Sequence, residues 1–342
     1  MVACGRIRRI AMNGLPATLR LLRPFNLLII ALTMALMRYF VLQPLVAING
    51  FELQLTTWQF AVLVLSTVLI AAAGNVINDY FDQRTDRVNK PAHIIVGVHV
   101  KRRVAMLMHQ IFNVLGVGMA VVLAWRVDMW SLAIVSFFAA GSLWFYSMQF
   151  KRELIVGNLM VAFLTALVPL LVGLYEIPLL MREYGAEVAA FFAEKEPDQD
   201  PLIYFKIMFY FIFIYAGFAF MLNLIREIQK DMADVKGDKK IGSRSIPIVF
   251  GMKNAKQITG ALLVIAAVLI VAFQQRYVNH PYVLAYVLVA VILPMALSFY
   301  HNWKAVYRRD FVVSGNYLKV AMLGGLLYTV VHYFIYYVPQ LP

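Results

Sequence analysis

Charge is what this chain has least of. Asp, Glu, Lys and Arg make up 14% of 342 residues, hydrophobic residues make up 62%, and the mean hydropathy is +0.74. A soluble globular domain carries about 25% charged residues, so that class is excluded. One cysteine, Cys4, leaves no intrachain disulfide framework and no thiolate metal site. The six histidines, His93, His99, His109, His280, His301 and His332, include no pair at i, i+3 or i, i+4, so a histidine-held metal has no support. No Ser-His-Asp arrangement can be argued either. Alternating segments of about ten residues, the mark of a transmembrane barrel, are absent. The net charge of +13 is scattered over short connections and forms no single basic face, which argues against a nucleic acid partner.

What is present is a series of long apolar runs. Nine reach the length of about 20 residues that a bilayer requires: Phe25–Leu42, Trp58–Asp79, Val104–Trp125, Met129–Gln149, Leu154–Leu174, Leu202–Ile225, Ile258–Gln274, Tyr282–Tyr300 and Leu318–Val338. Backbone polar groups in hydrocarbon must be satisfied within their own segment, so each run is expected to be a helix. The chain reads as an all-α, polytopic membrane protein with nine transmembrane helices. With the amino terminus in the cytoplasm, 25 of the 31 Lys and Arg fall on cytoplasmic segments. The remaining six are Arg38, Arg126, Arg182, Lys195, Lys206 and Arg276, and this asymmetry sets the orientation. Residues 1–24 read as a cytoplasmic, interfacial lead-in and residues 25–342 as the helical domain. Arg38 is expected to snorkel to the outer interface. Glu176–Pro201 is read as the longest outer segment, a solvated acidic stretch with a short interfacial helix over 188–193. Asp310, beside Arg308 and Arg309, reads as a loop ion pair.

Two stretches concentrate the acidic residues. In the first, Asn75, Asn78, Asp79, Asp82 and Asp86 fall at i, i+3, i+4, i+7 and i+11, one face of a helix. In the second, Asn223, Glu227, Asp231, Asp234 and Asp238 fall at i, i+4, i+8, i+11 and i+15. Both end a run that enters the cytoplasm, and together they hold seven of the chain's 18 acids. Carboxylates so gathered at a membrane edge need counter-charge, and divalent cations supply it most strongly. Mg²⁺ is usually held by one or two carboxylates plus water and phosphate oxygens. A diphosphate carrying a long hydrocarbon would satisfy both the ions and the apolar interior. An allylic prenyl diphosphate fits that description, with aromatic walls to stabilise the cation left when diphosphate departs. Other readings stay open: acids solvated and neutralised by neighbouring Arg and Lys, or a divalent-cation transporter, which would need its acids nearer the bilayer midplane.

These stretches resemble the UbiA superfamily of intramembrane prenyltransferases. Its Asn-x-x-x-Asp-x-x-x-Asp motif falls on Asn78, Asp82 and Asp86, and its Asp-x-x-x-Asp motif on Asp234 and Asp238, with Asp79 and Asp231 matching the fuller version. The likeness extends to Asn89-Lys90-Pro91, to Tyr146-Ser147 with Lys151-Arg152, to Gly157-Asn158, and to the run from Gly237 to Pro247. The resemblance implies a nine-helix bundle with a central cavity and a cytoplasmic cap, in a bacterial-type inner (plasma) membrane. It implies Mg²⁺ held by Asp79, Asp82, Asp86, Asp231, Asp234 and Asp238, with Asn78 completing the catalytic set. It also implies diphosphate contacts from Lys90, Lys151, Arg226 and Lys230, and partners that are a prenyl diphosphate and a lipid or aromatic acceptor. The second stretch is most similar to the geranylgeranylglycerol-phosphate geranylgeranyltransferase branch; an aromatic acceptor of quinone biosynthesis is the alternative. Where that branch carries Arg-Pro-x-x-Ser-Gly, this chain reads Ala92 to Gly97, and Lys101, Arg102 or Arg103 are candidates to supply the missing charge.

Overall fold

The structure, a computed structural model, describes residues 17–340; most of the lead-in, with Cys4, lies outside the described residues. Among the described residues there are nine helices long and apolar enough to cross a membrane, and no strand. They are α1 (Pro24–Ala47), α2 (Thr57–Asn89), α3 (Arg102–Arg126), α4 (Ser131–Met148), α5 (Val156–Lys195), α6 (Ile203–Lys240), α7 (Gly251–Val278), α8 (Pro281–Lys304) and α9 (Arg308–Tyr337). Each of the nine apolar runs corresponds to one of these helices.

Helices α2, α3 and α4 pack together, as do α6, α7, α8 and α9, while α5 lies along α6. α1 leans on α2, α5 and α9, and α2 meets α6 directly, so the two acidic stretches are carried on touching helices. The largest apolar cluster, around Met37, Leu63, Tyr175 and Ile212, ties α1, α2, α5 and α6 at the end away from those acids. A second, around Ile225, Leu263, Met295 and Leu318, holds α6 to α7, α8 and α9.

Three helices outrun their apolar cores. α2 begins at a capping box in which the Thr56 hydroxyl accepts from Gln59 N, and runs 33 residues before Lys90 and Pro91 end it. Its last ten residues therefore continue as helix beyond the apolar run, roughly 15 Å at the usual rise. α6 likewise carries the second acidic stretch in helical form to Lys240. α5 corrects the reading of Glu176–Pro201: it is one helix of 40 residues to Lys195, with Pro169 and Pro178 inside it, and no separate helix forms over 188–193.

That continuation accounts for a second correction. Arg38 does not snorkel; it is 3% exposed and its guanidinium donates to Glu176 Oε2 at 2.8 Å and to the Leu55 carbonyl. Glu176, wholly buried on α5, also accepts from Leu55 N at 3.0 Å and from Gln54 N. A helical α5 delivers a carboxylate inside the bundle, where a paired and hydrogen-bonded charge is far cheaper than a lone one. Asp310 is corrected too. It accepts from Val306 N at 2.9 Å and Tyr307 N at 2.8 Å, capping the start of α9 and leaving Arg308 free to turn elsewhere.

Candidate active site

The acidic face of α2 is held from three sides. Asn75 Nδ2 donates to Leu22 O at 2.9 Å, and Arg23, just before α1, pairs with Asp79 at 2.5 Å. Asn78 Nδ2 donates to Asp82 Oδ2 at 2.9 Å, and Lys151, from the short turn between α4 and α5, reaches both Asp82 and Asn78 Oδ1, the latter at 3.3 Å. Burial pushes the Lys151 ammonium down, but the Asp82 carboxylate with the Tyr146 hydroxyl beside it more than offsets this, so its pKa lies above the ordinary lysine value. Arg23 is raised in the same way, burial opposing and Asp79 prevailing.

The second stretch closes against the first through Asn89. Its amide donates to Asp234 O at 2.9 Å and accepts from Gly237 N at 2.9 Å. Only glycine permits that approach, since a Cβ at 237 would stand 2.4 Å from Asn89 Nδ2. The neighbouring Lys90 pairs with Asp234 Oδ2 at 3.1 Å, and Arg308 at the start of α9 pairs with Asp234 Oδ1 at 3.2 Å. Asp231 accepts from Asn158 of α5 at 2.9 Å. Glu227, 3% exposed, is taken by Arg226 and, at 2.9 Å, by Lys230.

Beside these groups lies a cavity of about 750 Å³. Asn78, Arg226 and Lys230 line it near the acids, and Tyr215, Tyr328 and His332 line it farther along α6 and α9. Between them the wall is largely apolar, with Ile30, Leu167, Phe211 and Phe218 among its residues. A charged rim on a long apolar chamber suits a ligand with an anionic head and a hydrocarbon tail.

The UbiA prenyltransferase family profile matches residues 27–322. The chain is 32% identical to the digeranylgeranylglyceryl phosphate synthase of Methanopyrus kandleri over 262 residues, 76% of this chain and 82% of that one. It is 27% identical to the synthase of the same name from Hyperthermus butylicus, covering 82% of each chain. The chain belongs to the UbiA prenyltransferase family. In fold, it is similar to a solved structure concerned with digeranylgeranylglyceryl phosphate synthase in membranes, with a TM-score of 0.56 at 22% identity over 93% of this chain and 98% of that one. It is also similar to a UbiA homolog from Archaeoglobus fulgidus bound to GPP and Mg2+, with a TM-score of 0.53 at 17% identity over 92% and 99% of the two chains.

In this prenyltransferase the named residues divide into groups. Asp82 and Asp234, on facing helices, each share an oxygen with a lysine, Lys151 and Lys90. Asp86 and Asp238 take no ion pair among the described residues and keep their oxygens free. Asp79 and Asp231 are engaged by Arg23 and Asn158, one step back. No three of the acids gather into a single metal-sized cluster among the described residues. The donors are carboxylate and amide oxygens from two helices, the hard set that suits a divalent cation completing its shell with water and phosphate.

Sequence reasoning missed Arg23, Asn158 and Arg308. Arg308 was the hardest to see, because an adjacent Asp310 offered a nearer partner in sequence. Asn158 stood in a motif, Gly157-Asn158, but nothing in the spacing pointed it at Asp231. Lys101, Arg102 and Arg103 do not stand in for the missing Arg at the cavity. Arg102 lies over the Tyr80 ring at 4.8 Å and, with Arg103, lines a separate recess on the α2–α3 face.

Proposed function

We propose that this prenyltransferase moves a geranylgeranyl group from its diphosphate to the free hydroxyl of a glycerol-phosphate lipid. The acid-bearing ends of α2 and α6, tied through Asn89 beside a long apolar cavity, carry this reading, and the names of the relatives support the acceptor. In the reaction the bond between the allylic C1 and the diphosphate oxygen breaks, with the electron pair leaving on diphosphate. The acceptor hydroxyl oxygen forms the new bond to C1, and its proton is released to solvent.

Asp82, Asp86, Asp234 and Asp238 are the residues that would hold Mg²⁺, with Asn78 beside them and Asp79 and Asp231 orienting the set from behind. When bound, Mg²⁺ neutralises charge on the departing diphosphate. Lys90 and Lys151 donate to the diphosphate from opposite sides, and both already sit on motif carboxylates. Arg226 and Lys230 stand at the cavity wall, where the head of a ligand gives way to its tail. The cavity holds the prenyl chain and keeps water from the allylic carbon. The excess of Lys and Arg on one side supports a plasma-membrane protein whose active site faces the cytoplasm, with residues 25–342 as one catalytic domain.

The test uses purified protein in detergent with radiolabelled geranylgeranyl diphosphate and Mg²⁺. Glycerol-phosphate lipids, 4-hydroxybenzoate and naphthoates are offered as acceptors, with and without EDTA. Label is expected on the glycerol-phosphate lipid, lost with EDTA and in Asp82→Ala and Asp234→Ala. Label on an aromatic acceptor alone would replace the acceptor assignment; transfer that survives both substitutions would remove the acidic helices from the reaction.

A further inference from the structure

The cavity wall carries four cations, Arg23, Arg226, Lys230 and Lys319, and one carboxylate, Glu227. Arg23 is neutralised by Asp79, and Arg226 and Lys230 by Glu227. Lys319 has no such partner: among the described residues its ammonium meets only Asn316 Oδ1, 3.4 Å away on its own helix. Lys319 is exposed on the wall of the cavity, and a cation there with no ion pair of its own keeps its charge for a ligand.

The register of α9 against α6 shows where that place is. The helices run antiparallel. Arg308 reaches Asp234, and a Cβ at Gly315 would stand 3.8 Å from Gln229 Oε1. Continuing the same register brings Lys319 opposite Arg226, and the charged groups that act on it are Arg226, Glu227 and Lys230. Lys319 is eleven residues along α9 from Arg308, roughly 16 Å at the helical rise. The cations therefore fall into two stations along α6 and α9, with Lys230, which also acts on Asp82 and Lys151, between them. One is the motif level, with Lys90, Lys151 and Arg308; the other is the cavity wall, where three cations face one carboxylate. Glu227 and Asn223 fix the second station, since Arg226 Nε also donates to Asn223 Oδ1 at 3.0 Å. Its surplus of two positive charges matches a phosphate monoester, which carries about −1.5 to −2 at neutral pH.

We propose that Lys319, with Arg226 and Lys230, binds the phosphate of the acceptor and selects a phosphorylated lipid alcohol over an uncharged one. The proposal rests on the acceptor being a glycerol-phosphate lipid. It also locates the charge missing from the Ala92–Gly97 stretch: on α9, far from there in sequence.

The experiment measures initial rates for wild type, Lys319→Gln and Lys319→Arg with three varied substrates: geranylgeranyl diphosphate, geranylgeranylglyceryl phosphate and the dephosphorylated alcohol of the latter. Losing one hydrogen bond between charged groups should raise KM for the phosphorylated acceptor about tenfold in Lys319→Gln. The KM values for the diphosphate and for the alcohol should stay within about twofold, which also reports an intact fold, and Lys319→Arg should restore phosphorylated-acceptor binding. An unchanged KM for the phosphorylated acceptor, or an increase falling on the diphosphate, overturns the proposal while leaving the proposed function standing. If wild type labels no phosphorylated acceptor, the proposed function fails and this assignment falls with it.

Discussion

Gly237→Ala tests the contact that joins the two acidic helices. A Cβ there would stand 2.4 Å from Asn89 Nδ2 and 2.7 Å from Oδ1, so the Asn89 amide must swing away. Doing so breaks its bonds to Asp234 O and from Gly237 N, both 2.9 Å. Two neutral hydrogen bonds are worth about 2 kcal/mol together, and alanine recovers about 1 kcal/mol over glycine inside a helix. The net is a destabilisation of about 1 kcal/mol, or about 2 °C in apparent Tm for a chain of this size. The sign should reverse in an Asn89→Ala background, where the obstruction and both bonds are already gone. There Gly237→Ala should stabilise by up to about 1 kcal/mol. Activity should fall more than stability does, because Asn89 precedes Lys90 and ties the end of α2 to α6 at Asp234; a tenfold loss of kcat is a conservative expectation for about 1 Å of misplacement. Thermal unfolding in detergent and initial prenyl-transfer rates on the four proteins check both parts. Stabilisation in the wild-type background, or the same sign in both backgrounds, would refute the assigned contact.

Three further outcomes follow from the geometry. Arg38→Met should strand the Glu176 carboxylate and cost about 3–5 kcal/mol, and Arg38→Met with Glu176→Leu should recover most of it; thermal unfolding of the single and double variants distinguishes these. Lys90→Gln and Arg308→Gln each remove a cation competing for Asp234. Because both cations are about a third or more exposed, the half-saturating Mg²⁺ concentration should drop by no more than roughly fivefold, while KM for the diphosphate rises in Lys90→Gln; a Mg²⁺ titration of initial rates reads both. Ile155, a β-branched residue at φ 65 and ψ −36 just before α5, sits at the centre of a γ-turn that Val156 N closes on Leu154 O at 2.7 Å, a positive-φ conformation that costs about 1–3 kcal/mol. Ile155→Gly should therefore raise the unfolding temperature of the purified protein, and a fall would show that the side chain's packing outweighs the strain.

The apolar spans and the two acidic faces were legible in the sequence because they are local properties. Hydropathy over about 20 residues is read without knowing any neighbour, and the spacing of Asn78, Asp82 and Asp86 places them on one face of any helix they form. Family membership followed from the same residues. Helix ends were less legible. Hydropathy falls where Asp79 and Glu176 begin, yet α2 and α5 run on, because a polar helix end is stable once its side chains are paired across the bundle. What the acids touch was not legible at all. Arg23, Asn158 and Arg308 reach Asp79, Asp231 and Asp234 across separations of 56 to 74 residues. Arg38 and Glu176 are 138 residues apart. Partners at such separations depend on helix register and rotation, and a side-chain pattern periodic along one helix carries no information about its neighbour's phase. The sequence by itself determined that acids and cations share one side of a helical membrane protein; only the packing of α2, α5, α6 and α9 decided which cations neutralise those acids and, among the described residues, left Lys319 on the cavity wall without an ion pair.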